Sequence, residues 1–257
     1  MKKLREMLDI LIKKHGLTAI KGGTEVEDMT FNELVLIKEL TYPVIPMIVK
    51  IGGPEARNDM REMKQMGAEG ILAPMVESEY ALKNFIESLH DIYSGSDLPY
   101  CAINIETITA YKNLGSIMGS PAFAALSQVT VGRTDLSGSM NMRPDDEEVL
   151  MVTGEIVRLA QEAGKTASVG GAIDPSNALK VSEIISPDLI NTRHMVFSLK
   201  KAKDICEAVH YGLLFEIELY RKFMEIEPSK EAAYRRRMDT TMNRIIKAEL
   251  AMAMPVY

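Results

Sequence analysis

Two rhythms of apolar and polar residues alternate along this chain. Short apolar runs suit buried strands, and stretches with apolar residues every third or fourth position suit amphipathic helices. In residues 1–15, Leu4, Met7, Leu8, Ile10 and Leu11 share a helical face, and Gly16 ends the helix. Residues 17–22 predict a strand and 23–28 a loop. Thr30 and Glu33 are spaced as a capping box for a helix running to residue 40. A strand over 43–51 ends in Gly52-Gly53, and Pro54 suits the first turn of a helix to residue 66. Further strands are predicted over 70–74, 99–105, 127–132 and 166–170, with helices over 79–93, 108–118, 146–163 and 175–185. A loop rich in Gly, Ser and Asn is expected after residue 132, and 189–197 has room for a strand and a turn. Helices follow over 200–224 and 229–252.

Strands alternating with helices imply parallel β/α architecture. A doubly wound sheet would carry a glycine fingerprint near its start. Gly22-Gly23 lacks the third glycine and the helix that should follow. A closed (β/α)8-type TIM barrel fits better, although only seven strands are clear, so the first is missing or an eighth is hidden. The barrel is expected over 1–225. A C-terminal helical extension over 226–257 is surplus to it, to pack on a neighbouring subunit or cap its own barrel.

Composition narrows the field. The chain has 257 residues, and 36 acidic residues face 30 basic ones, so no basic surplus points to nucleic acid. Arg235-Arg236-Arg237 reads as a solvated helix face or a subunit contact. No apolar run approaches the ~18 residues that span a bilayer, and the amphipathic start is no signal peptide. Cys101 and Cys206 form no metal or redox pattern and read as free thiols of a cytoplasmic protein. Most of the 18 methionines sit at helical spacing, as core filler.

A barrel of this kind works at the C-terminal ends of its strands. Glu106 and Asp135 follow adjacent predicted strands at that rim, where they can converge. Two carboxylates, waters and a bidentate 2-oxo acid make an all-oxygen shell suited to Mg2+ or Mn2+. Such an ion would stabilise the enolate oxygen of an aldol or retro-aldol step. Equally, both could be loop carboxylates that cap helices. Gly132 and Gly52-Gly53 would admit a small molecule close to the backbone, or simply form turns. Lys50 suits a substrate carboxylate or a Schiff base. Among the histidines, His194 alone lies near a strand end, as a candidate acid/base group.

Four segments carry a family resemblance: Val49-Lys50-Ile51; Gly67 to Ser78, with Pro74-Met75-Val76-Glu77; Ile105-Glu106-Thr107; and Val131-Gly132-Arg133-Thr134-Asp135-Leu136-Ser137. Over roughly residues 15–200 the chain resembles the HpcH/HpaI aldolase and citrate lyase β-subunit family of the phosphoenolpyruvate/pyruvate barrel superfamily. The resemblance implies Glu106 and Asp135 as metal ligands, and homo-oligomers, often trimers or hexamers, with a C-terminal helix reaching a neighbour. Two departures stand out. Lys50 takes the place of the arginine that holds the pyruvyl carboxylate, a point charge instead of a fork. Glu25 matches the glutamate of the aldolases' Glu-His pair, but Val26 stands at the histidine. Citrate-lyase-like members also manage without that histidine, and the family's usual first strand is missing here.

These readings converge on a metal-dependent carbon–carbon lyase acting on pyruvate, oxaloacetate or a similar 2-oxo acid with an aldehyde or acyl partner. Lys50, Glu25 and Arg133 are the expected catalytic residues. Lys50, Gly132, Arg133, Thr134 and Met75 are the expected substrate contacts. One alternative is phosphoenolpyruvate chemistry, which needs more rim cations than Lys50 and Arg133. The other is a non-catalytic barrel acting as a binding or assembly subunit.

Overall fold

The computed structural model describes residues 1–94 and 98–253; the end of the C-terminal extension, 254–257, lies outside them. The chain opens with α1 (Lys2–His15), β1 (Leu17–Gly23), α2 (Phe31–Thr41), β2 (Met47–Lys50), α3 (Arg57–Met66), β3 (Gly70–Ala73) and α4 (Glu79–Tyr93). It continues through β4 (Tyr100–Ile105), α5 (Ile108–Lys112), α6 (Leu114–Gly119), β5 (Gln128–Gly132), α7 (Arg133–Ser139), α8 (Glu147–Glu162), β6 (Thr166–Gly170) and α9 (Ala178–Ile185). β7 (Leu189–Asn191), β8 (Met195–Ser198), α10 (Ile205–Ile226) and α11 (Glu231–Ala253) complete it.

The eight strands close into a barrel in chain order. β1 to β7 pair in parallel, and β8 runs antiparallel to both β7 and β1. A β7–β8 hairpin thus closes the barrel against β1. Residues 189–197 hold the eighth strand, and its turn has no glycine or proline to announce it. A side chain from another element folds the turn instead. Glu216 of α10, fully buried, accepts the Thr192 hydroxyl at 2.6 Å and the His194 backbone N–H at 2.7 Å.

The local signals worked where chemistry was local. Thr30 and Glu33 make the capping box at the start of α2. Residues 108–118 split at Asn113 into two short helices. The expected loop after residue 132 begins instead as α7, in which Arg133, Leu136 and Ser137 are buried.

Side chains alternate across a strand, so residues two apart face the same side. Inside the barrel, Ala19, Ile48, Leu72, Ala102 and Val196 form a small apolar cluster, separate from the large core between strands and helices. Two residues further along β1, β2 and β4 stand Lys21, Lys50 and Asn104. The interior therefore turns from apolar to polar toward its C-terminal mouth.

α11 lies over that mouth on its own barrel. Buried Tyr234 donates to Glu33, whose other carboxylate oxygen accepts the Thr30 backbone N–H at 2.7 Å. Arg237 donates to the Val26 and Glu27 carbonyls, each at 2.8 Å, and Lys247 pairs with Asp174 at 3.0 Å. These contacts fasten the helix to the loops after β1 and β6. Among the described residues no helix is long and apolar enough to cross a membrane.

Candidate active site

A cavity of about 220 Å³ opens at the C-terminal mouth. Its wall includes Lys21, Glu27, Lys50, Asn104, Glu106, Thr130, Gly132, Thr134, Asp135, Asn191, Arg193 and Arg244. Glu106 and Asp135 do share one space. Glu106 is buried just past β4, where the Met75 backbone N–H donates to one oxygen at 3.0 Å and Asn104 Nδ2 to the other at 2.8 Å. Burial pushes its carboxyl pKa up, and Asp135 adds to this. Lys50 and the two hydrogen bonds oppose the shift. Asp135, exposed in the first turn of α7, has no hydrogen-bond or ion-pair partner among the described residues.

Gly132 makes room for this arrangement: a Cβ there would stand 2.6 Å from Glu106 Oε2. Real Cβ atoms do not come that close, so any larger residue must displace the carboxylate. Asn104 Oδ1 is also buried without a partner. Two carboxylates and one unpartnered amide oxygen form a hard, all-oxygen donor set that fits Mg2+ or Mn2+. No group of three His, Cys, Asp or Glu side chains gathers among the described residues, so protein carboxylates alone would leave most of an octahedron to water and ligand.

Lys50 lines the cavity but is already engaged. Its ammonium lies 2.5 Å from a Glu25 carboxylate oxygen. Burial lowers its pKa, but Glu27, Glu25 and Glu106 outweigh that and leave it raised. Lys50 is thereby held toward its charged form and paired with Glu25. Glu25 reaches the site only through Lys50. Glu27, a residue the sequence reading passed over, lines the wall directly. Burial would raise its pKa, but Lys50, His194, Arg193 and Lys21 together lower it.

Three expected residues stand elsewhere. Arg133, fully buried, donates to Asp145 at 2.9 Å, the Pro144 carbonyl at 3.1 Å and the Gly171 carbonyl at 3.0 Å. It braces α7 and is turned away from the cavity. Met75 contributes its backbone N–H to Glu106 and leaves its side chain exposed. His194 is fully buried between β1 and α10, with Nδ1 donating to the Lys21 carbonyl at 2.8 Å and its ring edge against Tyr220. Burial lowers its pKa despite Glu216, so the ring is a neutral structural group.

The cations missing from the sequence reading come from two places. Arg193 sits on the β7–β8 turn, and Arg244 reaches in from α11, donating to the Ile173 carbonyl with a buried, unpartnered Nε. Lys21 projects from β1 into the cavity, and its ammonium has no hydrogen bond or ion pair among the described residues. Burial brings its pKa from 10.5 down to about 8, against the pull of Glu27. Its place on the inward face of β1, two residues after Ala19, was a legible signal.

No family model and no curated protein matches the chain in sequence. Solved structures do match in fold. One is the HpcH/HpaI aldolase from Desulfitobacterium hafniense DCB-2, at 16% identity and a TM-score of 0.59, over 75% of this chain and 82% of that one. Another is an HpcH/HpaI aldolase/citrate lyase family protein from Burkholderia cenocepacia J2315, at 10% identity and 0.58, over 75% and 93%. The citrate synthase SbnG aligns at 15% identity and 0.54, over 70% and 86%. The barrel described above is the barrel of these proteins.

Proposed function

We propose that this barrel is a carbon–carbon lyase of the aldolase and citrate lyase type, acting on a 2-oxo acid with Mg2+ or Mn2+ held by Glu106 and Asp135. The observation that carries this reading is the shared cavity of those two carboxylates, with Gly132 keeping Glu106 in place. The family resemblance and the shared fold agree with it. A bound divalent ion would supply positive charge at the enolate oxygen, the costly atom of C–C cleavage beside a ketone.

The chain's own side chains supply the rest. The Met75 N–H and Asn104 fix both Glu106 oxygens, which leaves one rotamer for binding. Glu25 and Glu27 keep Lys50 charged, so it offers a substrate carboxylate a fixed cation. Arg193 and Arg244 give the mouth further positive charge for a second anionic group. They also supply rim cations that a phosphoenolpyruvate-using enzyme would need, so phosphoenolpyruvate is the second ligand to examine. Thr134 and the Gly132 backbone line the same wall and would meet the second, aldehyde or acyl, substrate.

The test is exchange of the C3 hydrogens of pyruvate with deuterated solvent, followed by NMR with Mg2+ or Mn2+ present. The lyase reading expects exchange by the wild type and at least a hundredfold loss in Glu106→Gln. No wild-type exchange with any 2-oxo acid tried would refute it.

A further inference from the structure

Of the cavity's cationic side chains, Lys21 alone has no hydrogen-bond or ion-pair partner among the described residues. Lys50 is paired to Glu25, Arg193 lies 3.5 Å from Glu27, and Arg244 is bonded to the Ile173 carbonyl. Lys21 stands inside the barrel on a rigid strand, directly above the apolar cluster. Its backbone is locked on both sides, the N–H donating to the His194 carbonyl at 2.7 Å and the carbonyl accepting from His194 Nδ1 at 2.8 Å. Its ammonium makes no direct ion pair among the described residues, and burial outweighs the pull of Glu27, Glu216 and Glu106 on its charge. A neutral amine there is a nucleophile facing a ligand cavity.

We infer that Lys21 forms a Schiff base with the carbonyl carbon of the 2-oxo acid that enters this cavity. The inference rests on the 2-oxo acid reading and puts the Lys21 nitrogen in place of the ion as electron sink, because the carbonyl oxygen the ion would hold is lost. The Nζ lone pair attacks the carbonyl carbon and the C–N bond forms. The carbonyl oxygen then leaves as water with the two amine hydrogens. Once protonated from solvent, the iminium draws the electron pair of the C3–C4 bond into a C2–C3 double bond as that bond breaks, and the C=N pair moves onto nitrogen to give an enamine; the C4 fragment gives its hydroxyl proton to solvent and leaves as an aldehyde or ketone. Glu27, on the same wall, is placed to hold that iminium charge. This provides the electron sink in a site where the ion would have only two protein carboxylates. A lysine with a pKa of about 8 is neutral in about a tenth of molecules at pH 7, about 300 times more than at 10.5.

The experiment is borohydride trapping. Chelator-treated full-length protein is incubated with pyruvate or oxaloacetate, reduced, and analysed as intact protein and as peptides by mass spectrometry. The expected result is one reduced pyruvyl adduct, on the peptide that contains Lys21, absent from Lys21→Arg and present in the Glu106→Gln, Asp135→Asn double variant. Peptide mapping of the wild type locates the adduct even if a Lys21 variant misfolds. No adduct, an adduct on another lysine, or one that survives Lys21→Arg overturns the inference. Trapping uses no metal, so it fails or succeeds separately from metal binding. Trapping without metal binding keeps Lys21 and removes the ion, and metal binding without trapping does the reverse.

Discussion

Replacing Lys21 with methionine keeps the side-chain length and removes the charge, so the cost of holding that charge becomes measurable. The fall from 10.5 to about 8 corresponds to ~3 kcal/mol against the native state wherever the lysine is protonated in both states. Part of that is returned, because Glu27 loses one of the charges that hold its pKa down. Part is screened by water in the cavity. A net gain of ~1–2 kcal/mol for Lys21→Met at pH 7 is the expected outcome, or roughly 4 °C in Tm for a chain of this size. The native pKa lies below the unfolded one, so between pH 8 and 10.5 the unfolded chain holds the extra proton. Wild-type stability therefore rises through that window. The advantage of the variant is full below pH 8 and gone above about 10.5. Urea unfolding of both proteins from pH 6.5 to 10.5 measures it, with Glu27, Lys50, Glu216 and Glu106 as the other charges acting on Lys21. A variant less stable than wild type at pH 7, or a difference constant with pH, would refute the reasoning. A gain would also fit a side chain kept for chemistry at the expense of stability.

Two further substitutions probe the frame. Gly132→Ala would drive a Cβ into Glu106 Oε2. It should cost ~1–3 kcal/mol by overpacking and weaken metal binding about tenfold or more, read by chemical denaturation and calorimetry. Glu216→Ala leaves the Thr192 hydroxyl and the His194 N–H unpaired in the turn that closes the barrel. A loss of ~3 kcal/mol is expected, and a loss below ~1 kcal/mol would show that the hairpin does not depend on this carboxylate.

The sequence reading succeeded where a short stretch contains its own cause. The capping box at Thr30, the apolar runs of the strands and the rim positions of Glu106 and Asp135 are all local. It missed β8 because the turn at Thr192–His194 is shaped by Glu216, which lies 24 residues beyond Thr192 in α10. Arg133 looked like a ligand because it is charged and follows a strand, but Asp145 and two carbonyls bind it inside. Arg244 could not be placed at all, since nothing local says that α11 crosses the mouth of its own barrel. Lys21 was visible among the strand-end residues, but its lack of a partner is a property of the surrounding elements.

The most direct test of the central claim is calorimetric titration of metal-stripped protein with Mg2+ or Mn2+, with and without pyruvate and oxaloacetate, beside the Glu106→Gln, Asp135→Asn double variant. The account expects the wild type to bind ion and oxo acid cooperatively and the double variant to bind no ion. If the wild type binds no ion even with oxo acid present, the carboxylate pair is not a metal site. A non-catalytic barrel, or one working through Lys21 alone, then becomes the better account, and trapping decides between them.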